Sequence, residues 1–164
     1  PRERKRTMKL FLSTFIHKVD KKGRVSLPSS FRQVLQHGTS EEFTLVRSFQ
    51  KPALEGMTMD RIEQLTNVID GIGVYSQEQQ DLASVLLADS KLMTMDSEGR
   101  IILGEELMLH AGIIDRAVFV GKGRTFEIWA PHTHEDVLKQ ARDRLGQSGV
   151  SLSLGQLQQK SEER

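Results

Sequence analysis

Apolar positions along this chain fall into short runs broken by polar turns. The first long run, residues 10–19, is apolar and β-branched enough to predict a strand. Asp20-Lys21-Lys22-Gly23 interrupts it as a turn, and residues 24–27 resume as a second strand. A short Asp side chain accepts backbone N–H bonds at the head of a turn, while Gly supplies the positive φ that closes a hairpin. Pro28, Ser29 and Ser30 then open a short helix, because Pro suits a first helical turn and Ser caps one. Phe31, Val34 and Leu35 give that helix an apolar face at i, i+3, i+4. Residues 43–49 read as another strand. Two helical stretches follow over 53–68 and 77–89, the second with Leu82, Val85 and Leu86 on one face.

The pattern then returns: a strand over 92–95, a turn over 96–99, a strand over 100–103, and a helix over 105–111 stopped by Gly112. Strands over 117–120 and 126–129 flank Gly121-Lys122-Gly123. The return is one of identity as well as pattern. Residues 20–27 read Asp-Lys-Lys-Gly-Arg-Val-Ser-Leu and residues 96–103 read Asp-Ser-Glu-Gly-Arg-Ile-Ile-Leu. At an offset of 76, Asp20, Gly23, Arg24 and Leu27 recur as Asp96, Gly99, Arg100 and Leu103. Ile16, Val19 and Phe31 match Leu92, Met95 and Leu107. Pro131 opens a last helix, where Thr133-His134-Glu135-Asp136 has capping-box spacing and Val137, Leu138, Ala141 and Leu145 form a stripe. From Gly146 onward Gln, Ser and Gly prevail, which reads as a frayed end.

The class is α+β. Each half holds about forty residues of β-α-β core, too few to bury a stable core alone. Two such halves pair most simply about a pseudo-twofold axis, sharing one barrel and projecting both Asp-x-x-Gly-Arg turns outward. The expected organisation is a basic mobile arm over 1–7, a first half over 8–50, a helical connection over 51–90, a second half over 91–130, a C-terminal helix over 131–146 and a flexible tail over 147–164. Met8 reads as a natural start, which would make part of the arm an extension.

Charge changes the picture, because a net +1 conceals a strong asymmetry. Residues 1–37 hold ten Lys and Arg against two acids, a net of +8; residues 38–164 hold thirteen against twenty, a net of −7. A basic block on an acidic protein attracts polyanions to one face while the rest repels them. Lys18, Lys21, Lys22 and Arg24 of that block lie inside the first motif rather than in a tail. The chain has no cysteine, so disulfides and Cys-based zinc sites are excluded and a reducing compartment, the cytoplasm, is the expected setting. No run approaches the ~18 apolar residues of a membrane span, and the N-terminus lacks the apolar stretch of a signal peptide.

Little in the sequence suggests catalysis. His132-Thr133-His134 stands at a helix start, where capping and exposure account for it better than metal. Gly71-Ile72-Gly73 and Gly121-Lys122-Gly123-Arg124 are too short for a phosphate-binding fingerprint, and no nucleophile motif is present. Met57, Met59, Met93 and Met95 read as core filler. The repeated turns are the candidates that remain. Turn geometry requires Asp and Gly but not Arg, and an exposed Asp–Arg pair stabilises by only about 0–1 kcal/mol. Arg, retained in both copies, is the side chain suited to planar contact with phosphate or guanine. The turns differ in charge: residues 20–24 are net +2, with Lys21 and Lys22, whereas 96–100 are net −1, with Ser97 and Glu98. The first is expected to meet nucleic acid, and the second to pair with protein or touch DNA more weakly.

The run from Phe15 to Leu35, followed by a second Asp-x-x-Gly-Arg 76 residues on, resembles the MraZ family of bacterial transcriptional regulators over about residues 8–145. The resemblance implies an AbrB/SpoVT-like swapped-hairpin fold, a barrel of two duplicated AbrB-like halves, and ring-shaped homo-oligomers in the cytoplasm, associated with the nucleoid. It implies binding to double-stranded DNA at G-rich direct repeats in the promoter of the division and cell-wall gene cluster, with no cofactor, small-molecule substrate or membrane. Carried over by position, the motif gives Asp20 and Arg24, then Asp96 and Arg100. With the charge reading above, the expected DNA-binding residues are Arg24, Lys21, Lys22, Lys18 and Arg100, and the turn residues are Asp20, Gly23, Asp96 and Gly99. Two alternatives stand beside it. One is an antitoxin-like protein of the same fold whose main partner is another protein; the other is a small enzyme on a double-psi-type barrel.

Overall fold

The computed structural model describes residues 10–38, 40–150 and 152, so the expected arm over 1–7 and most of the tail lie outside the described residues. Two compact units divide between Pro131 and His132. The first carries β1 (Thr14–Lys18), β2 (Arg24–Ser26), α1 (Ser29–Gln36), β3 (Phe43–Arg47), β4 (Leu54–Thr58), α2 (Met59–Asp70), α3 (Gln77–Leu82), β5 (Lys91–Met93), β6 (Arg100–Ile102), α4 (Glu105–Ala111), β7 (Arg116–Gly121) and β8 (Phe126–Trp129). The second is built on α5 (Pro131–Ser148).

Six strands form one antiparallel sheet in the order β1-β7-β8-β4-β3-β5. Exchange the halves, so that β1 stands for β5, β3 for β7 and β4 for β8, and the order reads the same from its other end. The first strand of each half is thus inserted beside the third strand of the other. The β4–β8 pairing is centred on Glu55 opposite Glu127, which makes their partners Val46 in β3 and Val120 in β7 equivalent. Ile16 opposes Val118 in one insertion and Leu92 opposes Thr44 in the other, so Leu92 answers to Ile16. The sequence match of Leu92 to Ile16 at an offset of 76 is therefore also the structural one.

Two expectations fail here for one reason. The turn at residues 20–23 does not close a regular hairpin: β1 and β2 share only the bridge between Val19 and Val25, and β2 pairs instead with β6 in a separate two-stranded ribbon. Because β2 and β6 leave the sheet for each other, the sheet stays open, with β1 and β5 at its edges, and no closed barrel forms among the described residues.

A single core joins these layers. Val25, Leu27, Ile101 and Leu103 of the ribbon segments, Phe31 and Leu35 of α1 and Leu107 of α4 are buried with Phe43, Phe119, Phe126 and Ile128 of the sheet. Phe31 lies at its centre, with ring centroids 5.2 Å from Phe11 and 5.3 Å from Phe126. The methionines behave as filler: Met93 is in this core, Met95 packs against it, and Met57 is buried.

Other boundaries moved. The helix expected over 53–68 begins only at Met59, where Thr58 Oγ1 accepts the Arg61 N–H at 3.2 Å; Leu54–Thr58 is a strand. There Gly56 faces Phe126 so closely that a β-carbon would fall on the ring. The helix over 77–89 is capped by Ser76 and widens into a π-wound turn at Ala83–Ala88. Pro28 itself occupies the cap position of α1, with no side-chain cap, so the expected Ser capping is absent. In α5 the helix already starts at Pro131 and runs past Gly146 to Ser148, so Thr133–Asp136 lies within it rather than at its cap, and residues 146–148 are ordered helix. Among the described residues no helix is long and apolar enough to cross a membrane.

Candidate nucleic-acid interface

The two Asp-x-x-Gly-Arg turns adopt one geometry. In each, the Arg N–H donates to the Asp Oδ1 at 2.9 Å, as does the N–H two residues after the Asp, from Lys22 in one turn and Glu98 in the other. The Gly N–H donates to the Asp carbonyl at 3.0 Å in both, with φ of 80° at Gly23 and 74° at Gly99. Arg24 Nε donates to Asp20 Oδ2 at 2.7 Å and Arg100 Nε to Asp96 Oδ2 at 2.9 Å. The Asp thereby shapes the turn with one oxygen and orients the guanidinium with the other. An arginine held by its Nε has less rotamer freedom to lose when its outer nitrogens meet a planar acceptor.

Donation of the arginine backbone N–H, then of its side chain, holds the Asp20 carboxyl below the usual carboxylate range, and Asp96 is lowered with the Arg100 backbone N–H again the leading cause. Arg100 is raised by its hydrogen bond to Asp96, with help from the charges of Asp96, Glu98 and Asp20. Glu98 Oε2 stands 3.5 Å from Arg100 Nη1, so a second carboxylate competes for the guanidinium of the second turn. Side-chain exposure is close, 38% for Arg24 and 34% for Arg100, so what separates them is charge rather than access.

The ribbon fixes where the turns lie. Leu27 N–H donates to the Gly99 carbonyl at 3.0 Å and Leu103 N–H to the Gly23 carbonyl at 2.7 Å, so the paired segment runs from 23 to 27 against 99 to 103. At a rise of about 3.3 Å per residue the two turns stand about 13 Å apart, one at each end. Val25 and Ile101 point into the core, which leaves Arg24, Ser26, Arg100 and Ile102 on the outer face. Arg24 opposes Ile102 and Ser26 opposes Arg100, so the arginines are diagonal neighbours, about 7–8 Å apart. They line one shallow recess of about 380 Å³ together with Leu92, Met95 and Ile102.

Not all of the expected residues gather there. Lys21 and Lys22 line a different recess, of about 460 Å³, with Leu103, Met108, Leu109 and Ile113. Lys18 ends β1, exposed and opposite Arg116 of β7. Arg116 lies outside the basic block and sequence reasoning missed it, since only the β1–β7 register places it beside Lys18. Arg32 was also missed: its side chain lies across Gly99 in the second turn. Its only signal was membership of the basic block. Among the described residues no group of ≥ 3 His, Cys, Asp or Glu side chains is placed to hold a metal ion; His132 stands 3.5 Å from Asp136 along α5.

Comparison with known proteins bears on what such a surface does. A relative named "Transcriptional regulator MraZ", from Pelagibacter ubique (strain HTCC1062), is 38% identical over 143 residues, which cover 87% of this chain and 92% of the relative. Relatives of the same name from Rickettsia canadensis and Rickettsia bellii are 37% and 38% identical over 135 and 136 residues, 82% of this chain and 91% of each relative. The chain belongs to the MraZ family. A family model described as "MraZ protein, putative antitoxin-like" matches residues 86–148, which include the second turn. The family is one of transcriptional regulators and not of enzymes, which removes the double-psi enzyme reading.

Proposed function

We propose that this protein is a sequence-specific DNA-binding transcriptional regulator that reads G-rich direct repeats in the promoter of the division and cell-wall gene cluster. The observation that carries the reading is the outer face of the β2–β6 ribbon, where Arg24 and Arg100 stand as diagonal neighbours, each oriented by its own aspartate. A major groove admits a two-stranded ribbon, and an arginine reads guanine through two parallel bonds. Lys21, Lys22 and Lys18 flank the first turn and suit phosphate. On this reading the chain is two AbrB-like halves, the first carried through β4 to Thr58 and the second over 91–130, joined by the helices between them and followed by α5. It works in the cytoplasm on the nucleoid. Single contacts of this kind are worth about 1–3 kcal/mol, so several subunits, as in a homo-oligomeric ring on repeated sites, are needed for occupancy.

The test is binding to a duplex carrying G-rich direct repeats, and to a scrambled duplex, across a salt series. Log affinity is expected to fall linearly with log salt, by about 0.9 per phosphate neutralised, with the repeats bound more tightly at every salt. Affinity unchanged by salt, or equal for both duplexes, contradicts the reading. A second reading, a protein-binding role of antitoxin type, draws support from the family model's description and from Leu109 and Ile114, exposed beside Lys21 and Lys22.

A further inference from the structure

We propose that Arg32 is a phosphate-binding residue that serves the second turn, on the far end of the ribbon from Lys21 and Lys22. The inference rests on the DNA-binding reading above and adds a residue that the Asp-x-x-Gly-Arg motif does not contain.

Arg32 is the fourth residue of α1, flanking the helix face that buries Phe31, Val34 and Leu35. Leu27, just before α1, is bonded to the Gly99 carbonyl, which brings the start of the helix over the second turn. The Arg32 side chain fills the space that a β-carbon on Gly99 would take, its Nη1, Cδ and Cζ being the nearest atoms. The other half covers its glycine differently: the Leu103 carbonyl oxygen takes the β-carbon place of Gly23, with a methionine beside it. Residue 108 stands 76 positions after residue 32, and Met108 Sδ lies 3.5 Å from the β-carbon position of Gly23. A backbone carbonyl and a thioether are enough to cover the glycine of the first turn, so packing alone does not call for a cation over the second.

The guanidinium is also uncommitted. Among the described residues Arg32 makes no ion pair, and its buried Nε has no hydrogen-bond partner. The carboxylates of the turn beneath it, Asp96 and Glu98, are engaged with Arg100. The Nε is closed off from solvent, but the side chain as a whole is only half-buried and no ion pair among the described residues holds its outer nitrogens, which are the donors an incoming oxyanion would meet. The basic block of residues 1–37 is thereby divided between both ends of the ribbon: Lys21 and Lys22 at the first turn, Arg32 at the second. Arg32 offsets Glu98, which would otherwise repel a phosphate there. The division of labour follows: phosphate contacts position a protein on the duplex, and base contacts specify.

The test uses the full chain with the repeat duplex and the scrambled duplex, comparing wild type, Arg32→Met, Arg32→Gln and Arg32→Lys across a salt series, with circular dichroism as the folding control. Arg32→Met keeps over Gly99 a side chain of the kind that stands beside Gly23. It is expected to keep the fold, weaken both duplexes by the same factor, and lower the salt slope by about 0.9 for each chain engaged. Arg32→Lys is expected to keep the slope. A folded Arg32→Met or Arg32→Gln with the wild-type slope overturns the inference, as does the unfolding of both, since the guanidinium would then be held for structure. Wild type that binds neither duplex with salt dependence sinks the DNA-binding reading itself, an outcome visible before any variant is made.

Discussion

At the residue scale, one aspartate organises each turn: Asp20 and Asp96 each accept two backbone N–H bonds on Oδ1 and the arginine Nε on Oδ2. Asp at the head, Gly at positive φ and Arg after it are tied by four local bonds in each turn, and turn chemistry in the sequence anticipates the first two of these residues. What sequence could not supply is what lies across each glycine. At Gly23 a β-carbon would fall on the Leu103 carbonyl oxygen, which is backbone; at Gly99 it would meet the Arg32 side chain, which can swing away. Both glycines sit at positive φ, where a β-carbon costs about 1–2 kcal/mol. Gly99→Ala should therefore destabilise by about that amount. Gly23→Ala should cost at least about 1 kcal/mol more, because the Leu103–Gly23 ladder bond is lost as well. Urea denaturation midpoints of the two variants check the order. The aspartates give a pH prediction. Asp20, Asp96 and Asp89, the last held by Arg47, all have carboxyls lowered in the fold. Their contribution is fully present above the unfolded carboxylate range near pH 4 and is lost as pH falls through the lower folded values. Stability should be level from about pH 7 to 5 and decline below about 4, and Asp96→Asn should make that decline shallower.

At the element scale, periodicity located α1, α4, β6 and β8 to within a residue or two, because each is bounded by its own Pro, Gly or turn. It failed where pairing partners decide. Residues 54–58 carry Leu, Glu and Met, good helix formers, yet they form β4 because β3 and β8 flank them on both sides. Propensity yields to tertiary pairing in such a segment. Gly56 is the residue that makes it possible, since the Phe126 ring occupies the place of its side chain. Gly56→Ala should destabilise by about 1–3 kcal/mol through overpacking, readable as a lower thermal or urea midpoint. The swapped pairing of β2 with β6 was equally out of reach of local pattern. Nothing between residues 10 and 27 distinguishes a closed hairpin from one whose second strand crosses to the other half.

At the scale of the whole molecule, the duplication was legible as an identity of motif, and the structure turns it into a strand order that reads alike from both ends. The closed barrel expected from that duplication does not form among the described residues, because the ribbon strands satisfy each other. The two arginines, expected on separate outward turns, share one ribbon face instead. Their inequality survives at the level of charge: Arg100 answers to Asp96 and Glu98, whereas Arg24 is paired with Asp20 and stands in a turn with two lysines. The most direct measurement is an operator-shift titration of Arg24→Ala and Arg100→Ala on the repeat duplex, with circular dichroism and sedimentation as controls. Arg24→Ala should abolish specific binding, a loss of about 10–100-fold or more, with the fold intact. Arg100→Ala should lose less, and part of its effect should fall on assembly size. If Arg100→Ala loses operator binding as completely as Arg24→Ala while the oligomer is unchanged, both turns read bases alike and the asymmetry is wrong.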